Sequence, residues 1–172
     1  PPGTMGRTLS RRELQQAREN ADAVGQLGEE YVNAYLTLLK GRGEITDFDW
    51  ISTENAIAPY DFQVDLIGSQ EIDIDVKSTA GEFTRVIHIS MGELRAMSDS
   101  ARRYDLYRIF GANERHAKLR IYENIEEFVM PIMGLFGNLP GGVTSDGISV
   151  SPSVLNFGEV IQLDYPEDRE EE

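Results

Sequence analysis

Three acids and a lysine carry most of the chemistry this chain could perform. From Glu71 to Thr79 the residues alternate: Ile72, Ile74 and Val76 fall on one side, Asp73, Asp75, Lys77 and Thr79 on the other. Period two is the signature of a strand. Its polar side is either a solvated face or a set of ligands aimed at something. Asp61 opens the preceding strand-like stretch, Tyr60 to Ile67, and Gly68-Ser69-Gln70 supply a glycine-containing connection between the two. Hairpin pairing about residue 69 sets Asp61 opposite Lys77, where paired residues lie about 5 Å apart on one face. Two carboxylates and an ammonium would then converge, with Asp73 left at the rim.

The third acid comes from a helix. From Val24 to Lys40, Gln26, Glu30, Asn33 and Thr37 form a polar stripe, whereas Gly25, Glu29, Val32, Leu36 and Leu39 form a small and apolar one. Steps of three and four keep each set on one side. Glu30 therefore points to water and Glu29 towards the sheet. A carboxylate on a core-facing stripe is costly to desolvate unless it is paired or bound to a cation. One resolution is a salt bridge to Lys77 or an arginine; the other is a metal ion.

Glu29, Asp61 and Asp75, with the backbone carbonyl of Val76, are an all-oxygen set. Such a set suits Mg²⁺, with Mn²⁺ as a substitute, because hard divalent cations take oxygen ligands and keep water positions for phosphate. Lys77 beside the metal would orient or deprotonate an attacking water, or stabilise charge developing on a phosphate. That chemistry is phosphodiester hydrolysis.

Other polar residues are less specific. His88 precedes a helix start, where it reads as a phosphate contact or, more simply, a structural histidine; His116 sits in a polar turn. Two histidines this far apart make no zinc pattern. Ser78 and Thr79 are either phosphate contacts or strand-end packing. Arg85, Arg102, Arg103, Arg115, Lys118 and Arg120 are the basic residues available to phosphate, or scattered surface charge. Trp50, Tyr104 and Tyr107 read as core. There is no Walker pattern, no GxSxG elbow and no dinucleotide fingerprint.

The elements that must hold these residues follow from local signals. Ser10 with Glu13, and Ser90 with Glu93, are capping boxes, each flanked by a hydrophobic staple: Leu9 with Leu14, Ile89 with Leu94. Helices therefore start near Arg11 and Met91. Gly25 and Gly28 weaken the interior between the first start and Lys40, which leaves open whether one helix or two span it. Strands are expected over Asp47–Ser52, Tyr60–Ile67, Glu71–Thr79, Arg85–Ser90, Tyr104–Phe110 and Lys118–Tyr122, the fifth apolar on both faces and so central. Asn124 is placed to cap a helix through Met130. Pro131 to Pro152, rich in glycine and proline, reads as loop. The order predicts an α/β protein, a mixed sheet flanked by helices.

The chain has 172 residues, no cysteine and a formal net charge of -14. The length suits one core, with residues 1–22 as linker and helix, 23–165 as the domain and 166–172 as an acidic tail. Pro-Pro-Gly-Thr before Met5 reads as a linker remnant. The absence of cysteine excludes disulfides and thiolate chemistry and fits a reducing, cytoplasmic setting. No apolar run approaches the roughly twenty residues of a membrane span. The negative charge argues against a broad nucleic-acid-binding surface, though not against a basic cleft or a module of a larger protein.

Asp61, followed on the next strand by Asp75-Val76-Lys77, resembles the PD-(D/E)XK pattern of restriction-endonuclease-like nucleases, with Tyr60 where the named proline stands. Gly28-Glu29 resembles the helix-borne acid of resolvase-like and Mrr-like members. The ordered run GEEYV, WISTEN, YDFQV, IDVKST, IHISMGEL and YDLYRIF is similar to the NO VEIN C-terminal domain family, over about Ala23 to Phe110. That resemblance implies a restriction-endonuclease-like core and a Mg²⁺-dependent nuclease using Glu29, Asp61, Asp75, Val76 and Lys77. It also implies DNA as substrate and a place within a larger restriction or phage-defence protein. The alternative is a nuclease fold without catalysis that binds protein or nucleic acid.

Overall fold

The computed structural model describes residues 10–98 and 101–166. Leu9, the linker remnant and the acidic run from Glu167 lie outside the described residues.

The Ser10–Glu13 capping box forms, and the helix it starts, α1, runs unbroken over Arg11–Gly41. The two glycines do not divide it, because α1 is held by packing. Tyr31, Val32 and Leu36 are fully buried against the sheet, and tertiary burial outweighs a propensity cost of about 1 kcal/mol per glycine. Gly28 has a positive reason to be there. A Cβ on it would stand 1.7 Å from the Ser78 Oγ and 2.6 Å from its Cβ. Only glycine lets the helix lie this close to the strand that carries Lys77.

Six strands form one mixed sheet in the order β1-β2-β3-β5-β6-β8, with β1 at Ile45–Trp50, β2 at Phe62–Leu66, β3 at Glu71–Ser78, β5 at Arg103–Phe110, β6 at His116–Tyr122 and β8 at Ile161–Asp164. Only β3 and β5 run parallel; the other neighbours are antiparallel. A parallel pair needs a crossover. Here β4 (Ile87–Ser90) and helix α2 (Met91–Ser98) supply it. The expected Arg85–Ser90 strand thus leaves the main sheet: β4 pairs with β7 (Gly147–Val150) as a separate antiparallel ribbon. Gly147 permits this pairing, since a Cβ there would meet the Ile89 carbonyl oxygen at 2.2 Å.

The stretch expected to be loop is partly ordered structure. Asn124, with φ 55°, precedes helix α3 (Glu126–Phe136), whose cap position is Ile125 and which passes through Pro131. Phe128, Val129, Met133 and Phe136 pack on a hydrophobic core, and that burial sustains the helix past a residue with no N–H to donate. The strands β7 and β8 and a short 3₁₀ turn at Pro152–Val154 follow among the described residues.

Both faces of the sheet are covered. On one side α1 packs over Phe62, Val64, Ile72, Ile74, Tyr107 and Ile109. On the other, α2, α3 and the β4–β7 ribbon cover Tyr104 and Leu106. The polar side of β3 lies under this second layer and is not a wet face: Asp73 and Asp75 are 6% and 3% exposed. Asp73 is therefore no rim residue. Its carboxylate lies 3.2 Å from the Arg102 Nε, and burial raises its pKa, with Arg102 opposing the rise.

Candidate functional site

The β2–β3 hairpin decides which groups meet. Gly68 and Ser69 both take left-handed φ values, 91° and 68°, and the Leu66 N–H closes on the Gln70 carbonyl. The bend is thereby centred on residue 68, one position earlier than expected. The ladder runs Asp65–Glu71, Val64–Ile72, Gln63–Asp73 and Phe62–Ile74. Asp61 lies just beyond the last pair, and a ladder in this register points it at Asp75, with whose carboxyl it interacts, and not at Lys77. A one-residue change in the bend has moved the partner by two, which preserves the face and brings two carboxylates together.

Asp61 donates its backbone N–H to the Ile74 carbonyl (2.8 Å), and its Oδ2 accepts the Val76 N–H (2.7 Å). Burial pushes the Asp61 carboxyl up to about 8. The Asp75 and Glu29 charges add to the rise, while the Val76 N–H opposes it. Asp75 is pushed up to about 6, again by burial first, with Lys77 pulling down and Glu93 pushing up. A buried and a half-buried carboxylate this close cannot both ionise cheaply. Burial raises both, Asp61 further than Asp75.

Lys77 lies beside them with its side chain 19% exposed. Its Nζ is 3.1 Å from the Asp75 Oδ2 and donates to both oxygens of Glu93, at 2.8 and 2.9 Å. Burial pulls the Lys77 pKa down, but Asp75 and Glu93 together outweigh it and the net shift is upward. In this arrangement Lys77 is an ammonium. Glu93 escaped the sequence reading as a site residue because its capping role already explained it. It does form that box, accepting the Ser90 N–H at 2.8 Å while its own N–H reaches the Ser90 Oγ at 3.1 Å. The available signal was position: the box opens a helix immediately after a strand in the crossover from β3.

Glu29 points inward as expected, but neither to Lys77 nor to an arginine. Its Oε2 accepts from the Trp50 indole N–H (2.8 Å) and the Ser52 hydroxyl (2.6 Å). Trp50, half-buried, stacks on Phe62 at 5.4 Å. Glu30 is not simply solvated, since it accepts from Tyr165 (3.1 Å). Glu29 contributes charge to Asp61, yet it sits on the α1 side of the sheet and Asp75 on the other. Among the described residues no three acidic or histidine side chains stand close enough to hold a metal as a group. The expected three-carboxylate convergence is reduced to the Asp61–Asp75 pair.

Around this pair, the buried Tyr104 hydroxyl donates to the Pro59 carbonyl and pins the approach to Asp61. Tyr104 and Tyr107 are core, as expected. Arg108, opposite Lys77 on β5, is 2% exposed and donates to the Arg85 carbonyl (2.6 Å). Burial lowers its pKa to about 10. It ties the chain after β3 to the sheet. Of the basic residues, Arg102 pairs with Glu71 and Asp73, and Arg103 grips Asp105. Arg120 donates to the Gly158 and Phe157 carbonyls. Arg85, Arg115 and Lys118 are exposed. His88 bonds Ser149 at 2.8 Å and, with Lys77, Ser90, Glu93 and Asp146, lines a cleft of about 460 Å³. His116 is exposed beside Asn113 (3.1 Å). The Thr79 hydroxyl accepts the Gly81 N–H, and the Ser78 hydroxyl is buried at Gly28 without a partner.

Asp61, Asp75 and the Val76 carbonyl offer only oxygen donors, the type a hard cation takes. Asp75 Oδ2 is buried and meets the Lys77 ammonium, 3.1 Å away. The Asp61 pKa is raised by burial and then by Asp75, with only the Val76 N–H opposing. The Val76 carbonyl projects from the same strand edge as its N–H, towards Asp61, beyond the last ladder pair at Phe62–Ile74. A family model described as Protein NO VEIN, C-terminal, matches residues 27–122, more than half of the chain.

The chain belongs to the NO VEIN C-terminal domain family.

The family match begins beside Gly28 and ends with β6, so it includes Glu29, Asp61, Asp75, Lys77 and Glu93 and leaves out α3, β7 and β8. No curated protein and no solved structure matches the chain.

Proposed function

We propose that this NO VEIN C-terminal domain is a divalent-cation-dependent nuclease that hydrolyses phosphodiester bonds, with DNA as the expected substrate. One observation carries the proposal: the half-buried Asp61 and the buried Asp75 stand together with raised pKa values at the mouth of the β3–β5 crossover, and the Lys77 ammonium lies 3.1 Å from Asp75. Acids with raised pKa values and a specific charge partner beside a cleft are the arrangement that catalytic sites use to tune their groups. Asp61, Asp75 and the Val76 carbonyl would hold Mg²⁺ or Mn²⁺, with water and phosphate oxygens completing the coordination. A bound cation supplies charge neutralisation at the phosphate and lowers the pKa of water.

The protein's own groups have separate tasks. Lys77 presents a fixed positive charge to a phosphoryl oxygen and steadies the charge that grows there as water adds to phosphorus and the phosphorus–oxygen ester bond breaks. The proton lost by water passes to the leaving oxygen or to solvent. Glu29, held by Trp50 and Ser52, acts on the site through its charge on Asp61. A role in a restriction or phage-defence protein belongs to the same proposal and rests on the family alone.

The test is cleavage of supercoiled, linear duplex and single-stranded DNA, and of RNA, with Mg²⁺ or Mn²⁺. Activity that disappears in Asp75→Ala and Lys77→Ala, while circular dichroism shows the fold intact, supports the proposal. No cleavage of any form by the unaltered domain refutes it.

A second reading is a non-catalytic module. It is favoured by Met130, Leu135 and Val143, which are 51%, 71% and 51% exposed around α3, and by the net charge of -14. Calorimetry separates the two: Mg²⁺ or Mn²⁺ binding that Asp61→Asn abolishes weakens the module reading.

A further inference from the structure

We infer that Glu93 is a positioning residue of this site: from the first turn of α2 it grips the Lys77 ammonium through both carboxylate oxygens and aims it at Asp75. The inference rests on the nuclease reading and adds to it the residue that orients the lysine.

Three observations carry it. The grip is two-pronged, at 2.8 and 2.9 Å, between side chains that are each 19% exposed. A lysine ends in four flexible bonds, so a single contact leaves its nitrogen free to swing; two contacts to one rigid carboxylate and a third to Asp75 define its place. The charge is also in excess of need. Asp75 alone would neutralise Lys77, yet the half-buried Glu93 adds a further carboxylate to the same ammonium. A contact that adds strain to a site is explained by what it positions. Finally, the gripping carboxylate is itself immobilised, because Oε2 also accepts the Ser90 N–H. The Ser90 backbone N–H, one half of the box that sequence reads as a helix start, thus mounts Glu93 against a lysine on another element. That contact links α2, the crossover between the two parallel strands, to β3 at the point of chemistry.

The same box provides the discriminating variants. Glutamine is as acceptable as glutamate at this capping position, so Glu93→Gln keeps the helix start while its amide nitrogen faces the ammonium and breaks the two-pronged grip. Ser90→Ala does the reverse: it removes a capping bond and leaves the Lys77–Glu93 contact. The readout independent of activity is the ¹⁵N spectrum of lysine ammonium groups in the metal-free domain. The chain has three lysines, Lys40, Lys77 and Lys118. Lys40 is half-exposed and Lys118 is on the surface, so Lys77 gives the persistent signal.

Glu93→Gln is expected to lose that signal and to lower kcat on the order of 10²-fold, the cost of a misplaced catalytic group. KM is expected to stay within about twofold, because substrate binding is not what the grip supplies. Ser90→Ala is expected to keep the signal and the rate. Persistence of the Lys77 signal in Glu93→Gln, or a Ser90→Ala variant that loses rate as Glu93→Gln does, overturns the inference and leaves Glu93 as a cap. An unaltered domain that cleaves nothing overturns the nuclease reading instead, a result distinct from an active domain indifferent to Glu93→Gln.

Discussion

Asp61→Asn should make the metal-free domain more stable, and more so as pH rises. Asparagine copies the protonated form of Asp61. Its oxygen can accept the Val76 N–H that Asp61 accepts at 2.7 Å, and its amide can donate towards Asp75. The unaltered protein must instead give up a proton. The Asp61 carboxyl lies at about 8 in the fold against an ordinary 3.8. Between those values the folded state holds the proton and the unfolded state does not, so stability is complete below the lower value and is lost as pH climbs through the higher one. A shift of roughly four pH units at about 1.4 kcal/mol each sets a ceiling near 6 kcal/mol. Asp61 is only mostly buried, and water entry and local relaxation return part of that, so the expected gain is about 2 kcal/mol at pH 8.5 and near zero at pH 4. For a chain of this size about 2 kcal/mol corresponds to roughly 4–8 °C in Tm. The assay is denaturant unfolding in chelator at several pH values from 4 to 9, comparing Asp61→Asn with the unaltered domain. A difference that does not grow with pH, or an asparagine variant less stable at pH 8.5, would refute the raised Asp61 pKa on which the cation site is argued.

Mg²⁺ or Mn²⁺ should raise Tm by differential scanning fluorimetry, and by more at pH 8.5 than at pH 6, because the cation must displace the proton that Asp61 holds. Asp75→Asn should erase the shift; a shift of equal size in that variant would place the cation elsewhere. Gly28→Ala should cost about 1–3 kcal/mol in urea unfolding, since its methyl meets the Ser78 Oγ at 1.7 Å. Adding Ser78→Gly should recover most of that loss, and no recovery would mean the helix is held off the strand by something else.

Much of the architecture was legible because its signals are local. Capping boxes mark helix starts through bonds within four residues, and the alternation of Ile72 to Lys77 reports a strand whatever covers it. The fold class follows from such signals, and the inward turn of Glu29 and the shared face of Asp73, Asp75 and Lys77 follow from the same periodicities. Element ends were harder to read. Gly25 and Gly28 looked like interruptions, and Pro131 like a terminus, because propensity does not see the core that α1 and α3 cover.

The site itself was decided by tertiary structure. Alternation says that Asp73, Asp75 and Lys77 share a face; it cannot say that α2, α3 and a second ribbon bury that face and turn its acids into high-pKa groups. Two left-handed residues, Gly68 and Ser69, set the register that points Asp61 at Asp75 and not at Lys77. Long-range packing placed Trp50 and Ser52 on Glu29 and drew Lys77 to Glu93. The sequence determined which groups are present and which face each one takes, since both depend on neighbours along the chain. Which groups touch, and therefore which carry a proton, depends on desolvation and distance between segments far apart in sequence, and only the folded chain sets those.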